Sequence, residues 1–258
     1  MDDINLMEIS KLEKSFGGLN AVQDFNFHIA ENELVGLIGP NGAGKTTVFN
    51  LITGVYKPDN GCIIFRDENL VGMAPHTICT KGIARTFQNI RLFNDLSVLD
   101  NVKIAAHKNV PYSLMGAVFR TPGFFRGESE IEKEALHYLE IFNLRNKKDE
   151  LARNLPYGEQ RRIEIVRALA TRPLLLILDE PAAGMNPQET QALMELIRYI
   201  RQEFNLTILL IEHDMSLVMG VCERLYVLDY GQIIAEGTPA EIRADKRVIE
   251  AYLGEDVG

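Results

Sequence analysis

The sequence predicts an α/β fold on a parallel sheet, with antiparallel strands toward the N-terminus and a helical portion set into the middle. Three observations predict it. Leu34-Val35-Gly36-Leu37-Ile38, Leu174 to Leu178 and Thr207 to Ile211 are short runs dominated by aliphatic residues, the mark of strands buried on both faces of a parallel sheet. Phe25-Asn26-Phe27-His28-Ile29 alternates apolar and polar residues, as a half-buried antiparallel strand does. From about Ile90 to Asn154 no strand-like run occurs, while Ile131, Ala135, Leu139 and Phe142 recur at helical spacing.

Taken in order, the first buried strand, Leu34 to Ile38, runs into Gly39-Pro40-Asn41-Gly42-Ala43-Gly44-Lys45-Thr46-Thr47 and then the apolar Val48-Phe49-Asn50-Leu51-Ile52. Strand, glycine loop, helix is the context in which G-x-x-x-x-G-K-T is a phosphate-binding loop. Its backbone N–H groups form a nest at a helix N-terminus, where the dipole favours negative charge. Lys45 is set to reach the terminal phosphates and the Thr46 hydroxyl to hold a Mg²⁺ that keeps most of its water.

Leu174 to Leu178 ends in Asp179-Glu180, so two carboxylates emerge at the C-terminal edge of a parallel strand, where α/β sheets place ligands. Asp179 suits Mg²⁺ and Glu180 suits a general base for an attacking water. Asn186-Pro187 reads as an N-cap with proline at the first helical position, followed by Leu193, Leu196, Ile197, Ile200 and Phe204 at helical spacing. The next strand, Thr207 to Ile211, leads to His213, whose imidazole is placed to bridge a γ-phosphate and a water. Leu155-Pro156-Tyr157-Gly158-Glu159-Gln160-Arg161-Arg162 opens a helix and offers a second anion-facing helix end. Two such ends with one phosphate loop imply a sandwich in which each subunit closes over the nucleotide held by the other.

The 258 residues carry a net charge of −9, which argues against nucleic acid as a partner. Cys62, Cys79 and Cys222 stand far apart without metal-ligand spacing and read as small buried apolar residues in a reducing compartment. No basic, apolar leader opens the chain and no apolar run approaches a membrane span. Asn101 to Gly127 contains no acidic residue but carries Lys103, Lys108, Arg120 and Arg126 among Leu114, Met115, Val118, Phe119, Phe124 and Phe125. Such a segment in an acidic chain is a candidate contact surface for a membrane-embedded partner or lipid headgroups.

These motifs, in this order, resemble the ATP-binding subunits of ABC transporters along nearly the whole chain. The resemblance implies a P-loop ATPase core with an N-terminal antiparallel β subdomain and an inserted helical subdomain. It makes 1–258 a single ATP-binding domain, with 1–89 and 155–258 as the α/β core and 90–154 as the helical subdomain. It further implies that Phe16 stacks on adenine, that Gly39 to Thr47 hold the phosphates, and that Gln88 touches Mg²⁺ and senses the membrane subunits. Leu155, Tyr157, Gly158 and Glu159 would belong to a signature loop facing the partner's nucleotide. Asp179 would bind Mg²⁺, Glu180 would be the catalytic glutamate, Ala183-Gly184-Met185-Asn186 an inter-subunit loop, and His213 the switch histidine. The cofactors implied are ATP and Mg²⁺.

The wording Phe16-Gly17-Gly18-Leu19-Asn20-Ala21-Val22, Arg85-Thr86-Phe87-Gln88 followed by Arg91-Leu92-Phe93, Pro181-Ala182-Ala183-Gly184 and the ending Ala251-Tyr252-Leu253-Gly254 is similar to ATPases of branched-chain amino acid importers. That likeness implies two membrane-spanning permease subunits, a second ATP-binding subunit, an external solute-binding protein and a place on the cytoplasmic face of the inner membrane. The alternatives are urea or amide import, lipopolysaccharide export, and an ATP-driven binding switch outside transport. One departure stands out. Pro156 and Tyr157 replace the serine and first glycine of the common LSGGQ signature, and Pro156 offers neither a hydroxyl nor a backbone N–H. The altered loop suits a subunit paired with a different ATPase whose signature is intact.

Overall fold

The computed structural model describes residues 5–109, 114–212 and 215–253. The chain parts into two compact units, the first formed by 1–83 and 175–258 and the second by 84–174.

In chain order the first unit opens with β1 (Asn5–Phe16), β2 (Leu19–Ala30), β3 (Leu34–Ile38), α1 (Lys45–Ile52), β4 (Asn60–Phe65), β5 (Glu68–Asn69) and α2 (Pro75–Lys81). Strand β6 (Ile83–Arg85) carries the chain into the second unit, which holds α3 (Val98–Ala106), α4 (Leu114–Val118), α5 (Pro122–Ile141) and α6 (Tyr157–Leu169). The first unit then resumes with β7 (Leu175–Asp179), α7 (Pro187–Phe204), β8 (Thr207–Ile211), α8 (Met215–Val221), β9 (Arg224–Asp229), β10 (Gln232–Gly237), α9 (Pro239–Ala244) and α10 (Lys246–Leu253).

Two sheets result. One has the order β2-β1-β4-β5 and is antiparallel; the other runs β10-β9-β3-β8-β7-β6 and is parallel among β9, β3, β8 and β7. The alternating segment Phe25 to Ile29 lies in β2, with Phe25, Phe27 and Ile29 buried and Asn26 and His28 exposed. Every residue of β3, β7 and β8 is buried, as their apolar runs demand. Leu174 stands outside β7 and is exposed. The inner faces of both sheets share one core with α1, in which Met7, Phe25, Phe27, Leu37, Val48, Phe49, Leu209 and Ile211 are buried. At Gly36 a Cβ would lie 2.6 Å from Leu225 Cδ2 and 3.0 Å from Cys222 Sγ, so the sheet centre admits no side chain there. Of the three cysteines only Cys222 is fully buried; Cys62 and Cys79 sit in half-buried positions near the surface.

Helix α7 joins the parallel neighbours β7 and β8. Asn186 caps it, accepting from the N–H groups of Gln188 and Glu189 at 3.0 Å each, while the Glu189 carboxylate accepts from Asn186 N at 2.9 Å. Such a reciprocal cap contributes about 1 kcal/mol.

The second unit is helical as its periodicity predicts: Ile131, Ala135, Leu139 and Phe142 are all buried. Among its described residues the strand-like pairing beyond β6 is the isolated bridge Ser97–Leu151. Asn101, fully buried on α3, fixes the preceding turn by accepting from Phe93 N at 2.9 Å and donating to Phe93 O at 3.0 Å.

Candidate functional site

Register brings the first unit's chemistry to one edge. Leu37 on β3 pairs with Ile211 on β8, and Ile211 pairs with Asp179 on β7, so three adjacent strands end in one row. The glycine loop follows β3 and Glu180 follows β7 at that same edge.

The loop is shaped by three glycines with positive φ, Gly39, Gly42 and Gly44. At Gly44, with φ 108°, a Cβ would also lie 2.5 Å from the carbonyl of Ala21, so only glycine fits. Gly231 holds the loop from outside by donating to Ala43 O at 2.8 Å. Helix α1 starts at Lys45 without a side-chain cap and with no acidic residue in its first turn, which leaves its dipole and N–H groups for an anion. The Lys45 ammonium folds over the loop, donating to Gly39 O at 2.5 Å and Pro40 O at 2.8 Å. Thr46 is exposed and Thr47 half-buried, and Asn41 and Gly42 lie at the surface.

Asp179 is buried at the end of β7. Glu180 adopts φ 45°, a left-handed conformation that costs a residue with a side chain about 1–3 kcal/mol. The backbone around it is tied down: Glu180 N donates to Ile211 O at 2.8 Å and Ala183 N to Glu180 O at 3.2 Å. Glu212, almost fully buried, accepts from Ala182 N at 3.0 Å and anchors the turn that follows Glu180. Sequence reading missed this role, although an acid that directly continues a wholly buried strand is the signal for it. The loop Ala183 to Asn186 turns through Gly184 at φ 77° into the cap of α7.

Phe16 ends β1 at 42% exposure, with Tyr56 edge-on at 5.2 Å and Lys14 Nζ 5.5 Å above its ring. It is therefore an accessible platform rather than the core aromatic that its type alone suggests. His213 lies outside the described residues.

The second unit holds the other site residues. Gln88 is exposed. The Phe87 ring beside it is covered by the guanidinium groups of Arg85 and Arg91, each 4.3 Å from its centroid. Helix α6 fixes this segment from within. Arg161, fully buried, donates to Phe87 O at 2.5 Å and to Gln88 O at 2.8 Å, and its partner Glu164, at 3.3 Å, accepts from Arg91 N at 2.7 Å. Arg167 on the next turn donates to Arg91 O at 2.5 Å. Burial raises the Glu164 carboxyl above its usual range against the pull of the Arg91 N–H and Arg161. This clamp was not legible, because Arg161 and Arg162 look alike in sequence.

At the start of α6 Leu155 is buried, Pro156 occupies the N-cap and Tyr157 is exposed. Glu159 lies in the first turn and is paired with Lys147 at 2.6 Å, so its charge at this helix end is met by an ammonium.

A cavity of about 1090 Å³ lies at the opposite edge of the parallel sheet, around His28, Glu33, Arg224, Tyr226 and Glu236. Its charges are satisfied by one another, with Glu33 and Glu236 both on Arg224 at 2.7 Å. Pro40, Asn41, Gly42 and Ala43 of the phosphate loop line a separate cavity of about 730 Å³.

Comparisons with known proteins agree with this geometry. The family described as ABC transporter matches residues 22–183, and one described as Branched-chain amino acid ATP-binding cassette transporter matches residues 232–258. The high-affinity branched-chain amino acid transport ATP-binding protein LivG of Escherichia coli (strain K12) is 48% identical over 250 residues, covering 97% of this chain and 98% of that protein. The lipopolysaccharide export system ATP-binding protein LptB of the same organism is 36% identical over 245 residues, covering 95% of each chain. Among solved structures, the ADP conformation of MJ1267, an ATP-binding cassette of an ABC transporter, is similar at a TM-score of 0.84 and 30% identity, covering 97% of this chain and 99% of that one. With a phosphate loop, a strand-end Asp-Glu pair and a family match over more than half its length, the chain belongs to the ATP-binding, ATP-hydrolysing subunits of ABC transporters.

Proposed function

We propose that this chain is the ATPase subunit of an ABC importer that drives branched-chain amino acids across the cytoplasmic membrane. The observation that carries it is the 48% identity to LivG along 97% of the chain, against 36% to LptB. The arrangement of the first unit supports ATP hydrolysis as the source of the work.

In this reading Gly39, Pro40, Asn41, Gly42, Ala43 and Gly44 wrap the phosphates with backbone N–H groups, and Lys45, Thr46 and Thr47 extend the cradle at the first turn of α1. Lys45 exchanges its two loop carbonyls for phosphate oxygens. Thr46 and Asp179 would supply oxygen donors of the kind that Mg²⁺ takes, and the ion would neutralise charge on the transferring phosphoryl group. The resemblance to the family gives Gln88 the role of a further oxygen donor. Glu180 takes the proton of the attacking water as general base, held in its left-handed turn by Ile211 O and Glu212. Phe16 offers its face to adenine. His213 steadies the γ-phosphate.

Leu155, Tyr157, Gly158 and Glu159 belong to the face offered to a partner's nucleotide. Pro156 at the N-cap, with neither a hydroxyl nor a backbone N–H to offer, weakens that face for phosphate. The chain therefore pairs with a second ATP-binding subunit whose signature is intact, giving unequal sites, on two permease subunits served by an external solute-binding protein. The whole chain acts as one ATP-binding domain at the cytoplasmic face of the inner membrane.

The test is to isolate the tagged chain from its native membranes in mild detergent and identify its companions by mass spectrometry. Two multi-span permeases with a second, signature-intact ATPase are expected. Lipopolysaccharide-export components would move the function to that system, and recovery with ribosomes would exclude transport.

A further inference from the structure

We propose that the exposed tip formed by α4 and the start of α5 is a docking surface for an anionic lipid bilayer. The inward stripe of α5 begins only at Gly127 and continues through Ile131, Ala135, Tyr138 and Leu139. From Met115 to Arg126 no residue is fully buried, yet this stretch carries large apolar side chains. Met115 is 63% exposed, Val118 67%, Phe119 70% and Phe125 59%. The Phe125 ring stands edge-on to Phe124 at 5.5 Å, which presents an aromatic pair at the start of α5.

Arginines are interleaved with these residues. Arg120 sits at the turn between the helices with φ 47°, and Arg126 closes the first turns of α5. Among the described residues neither is joined to a carboxylate, whereas Lys103 nearby is paired with Glu128 at 3.4 Å. No acidic residue occurs from Asn101 to Gly127, in a chain whose net charge is −9. An anionic surface repels the rest of this protein and attracts this segment. That charge complementarity selects the occupant. Rings and aliphatic groups enter the headgroup boundary while guanidinium groups pair with lipid phosphates. Nucleotide takes no part in the contact, so vesicle binding and ATP hydrolysis fail independently.

The experiment is flotation of the full chain with phosphatidylcholine vesicles, alone or with about 30% phosphatidylglycerol to supply the negative surface potential. The chain is expected to float with the anionic vesicles and to stay behind with the neutral ones. R120Q/R126Q is expected to lose about 30-fold in partition, the equivalent of about 1 kcal/mol for each of the two arginines. F119S/F125S is expected to lose at least about tenfold, because the rings supply the apolar area. All four positions are exposed, so both variants keep the far-ultraviolet spectrum and ATP binding of the parent. Equal partition into both vesicles, or variants that partition like the parent, would overturn the proposal. A photoreactive residue at position 118 in native membranes separates lipid from protein: lipid adducts support the bilayer, and adducts confined to a membrane protein overturn it.

Discussion

Arg161 reaches from the first turns of α6 to the backbone of Gln88, donating to its carbonyl at 2.8 Å from a position with no solvent exposure. The same guanidinium holds Phe87 O and lies 3.3 Å from Glu164, which in turn accepts from Arg91 N. The segment proposed to sense the membrane subunits and the helix proposed to face the partner's nucleotide are thus parts of one hydrogen-bonded body within the second unit.

Removing the guanidinium leaves Glu164 buried without its ion-pair partner. Arg161→Met is expected to destabilise the protein by about 3–5 kcal/mol, the usual cost of breaking a buried pair. The urea midpoint checks this. A midpoint within experimental error of the parent would show that the clamp carries no stability.

Glu180→Gln preserves the turn but removes the base. Hydrolysis is expected to fall about 10² to 10⁴-fold with ATP binding retained. Steady-state phosphate release and equilibrium binding of a fluorescent ATP analogue distinguish the two effects, and near-normal turnover would remove Glu180 from its role.

Lys45→Ala deletes a charge-assisted donor to phosphate. ATP affinity is expected to drop about 10 to 150-fold, from the 1.5–3 kcal/mol typical of such bonds. Calorimetric titration measures it, and unchanged affinity would count against the phosphate-loop assignment.

Gly44→Ala places a methyl 2.5 Å from Ala21 O on a backbone with φ 108°. The loop must move to relieve the clash, so both thermal stability and ATP binding are expected to fall. Thermal melts with and without nucleotide read both, and a variant with parental values would show that the loop tolerates a Cβ.

At the far sheet edge, burial pushes the Glu33 carboxyl up, but the Arg224 hydrogen bonds and the Ala30 N–H outweigh it and hold it below 4.5. A depressed folded-state value stabilises the fold above the unfolded value and is lost as pH falls through the folded one. Glu33→Gln is therefore expected to be less stable than the parent above about pH 4.5, with the gap closing below it. Urea midpoints of both proteins between neutral and acid pH test this; a gap independent of pH would contradict it.

Much of the fold was legible because its signals are local. Runs dominated by aliphatic residues gave β3, β7 and β8, alternation gave the face of β2, and Asn186-Pro187 gave the start of α7. The glycine loop and Asp179-Glu180 were legible because they continue buried strands. What stayed hidden depends on long-range partners. Glu212 and Arg161 are charged residues whose burial follows from what the fold brings to them, Ala182 N–H in one case and the carbonyls of Phe87 and Gln88 in the other. Phe16 shows the reverse, an aromatic left accessible because β1 ends there.

The row formed by Leu37, Ile211 and Asp179 has a consequence for how this protein tolerates change. Alignment of the carboxylates with the glycine loop is set by backbone ladders through β8. Insertion or deletion of a single residue there shifts one side of the row by about 3.3 Å and turns alternate side chains to the wrong face. No compensating substitution at the row's ends restores the alignment, so conservative exchanges within β8 are tolerable in a way that any change in its length is not.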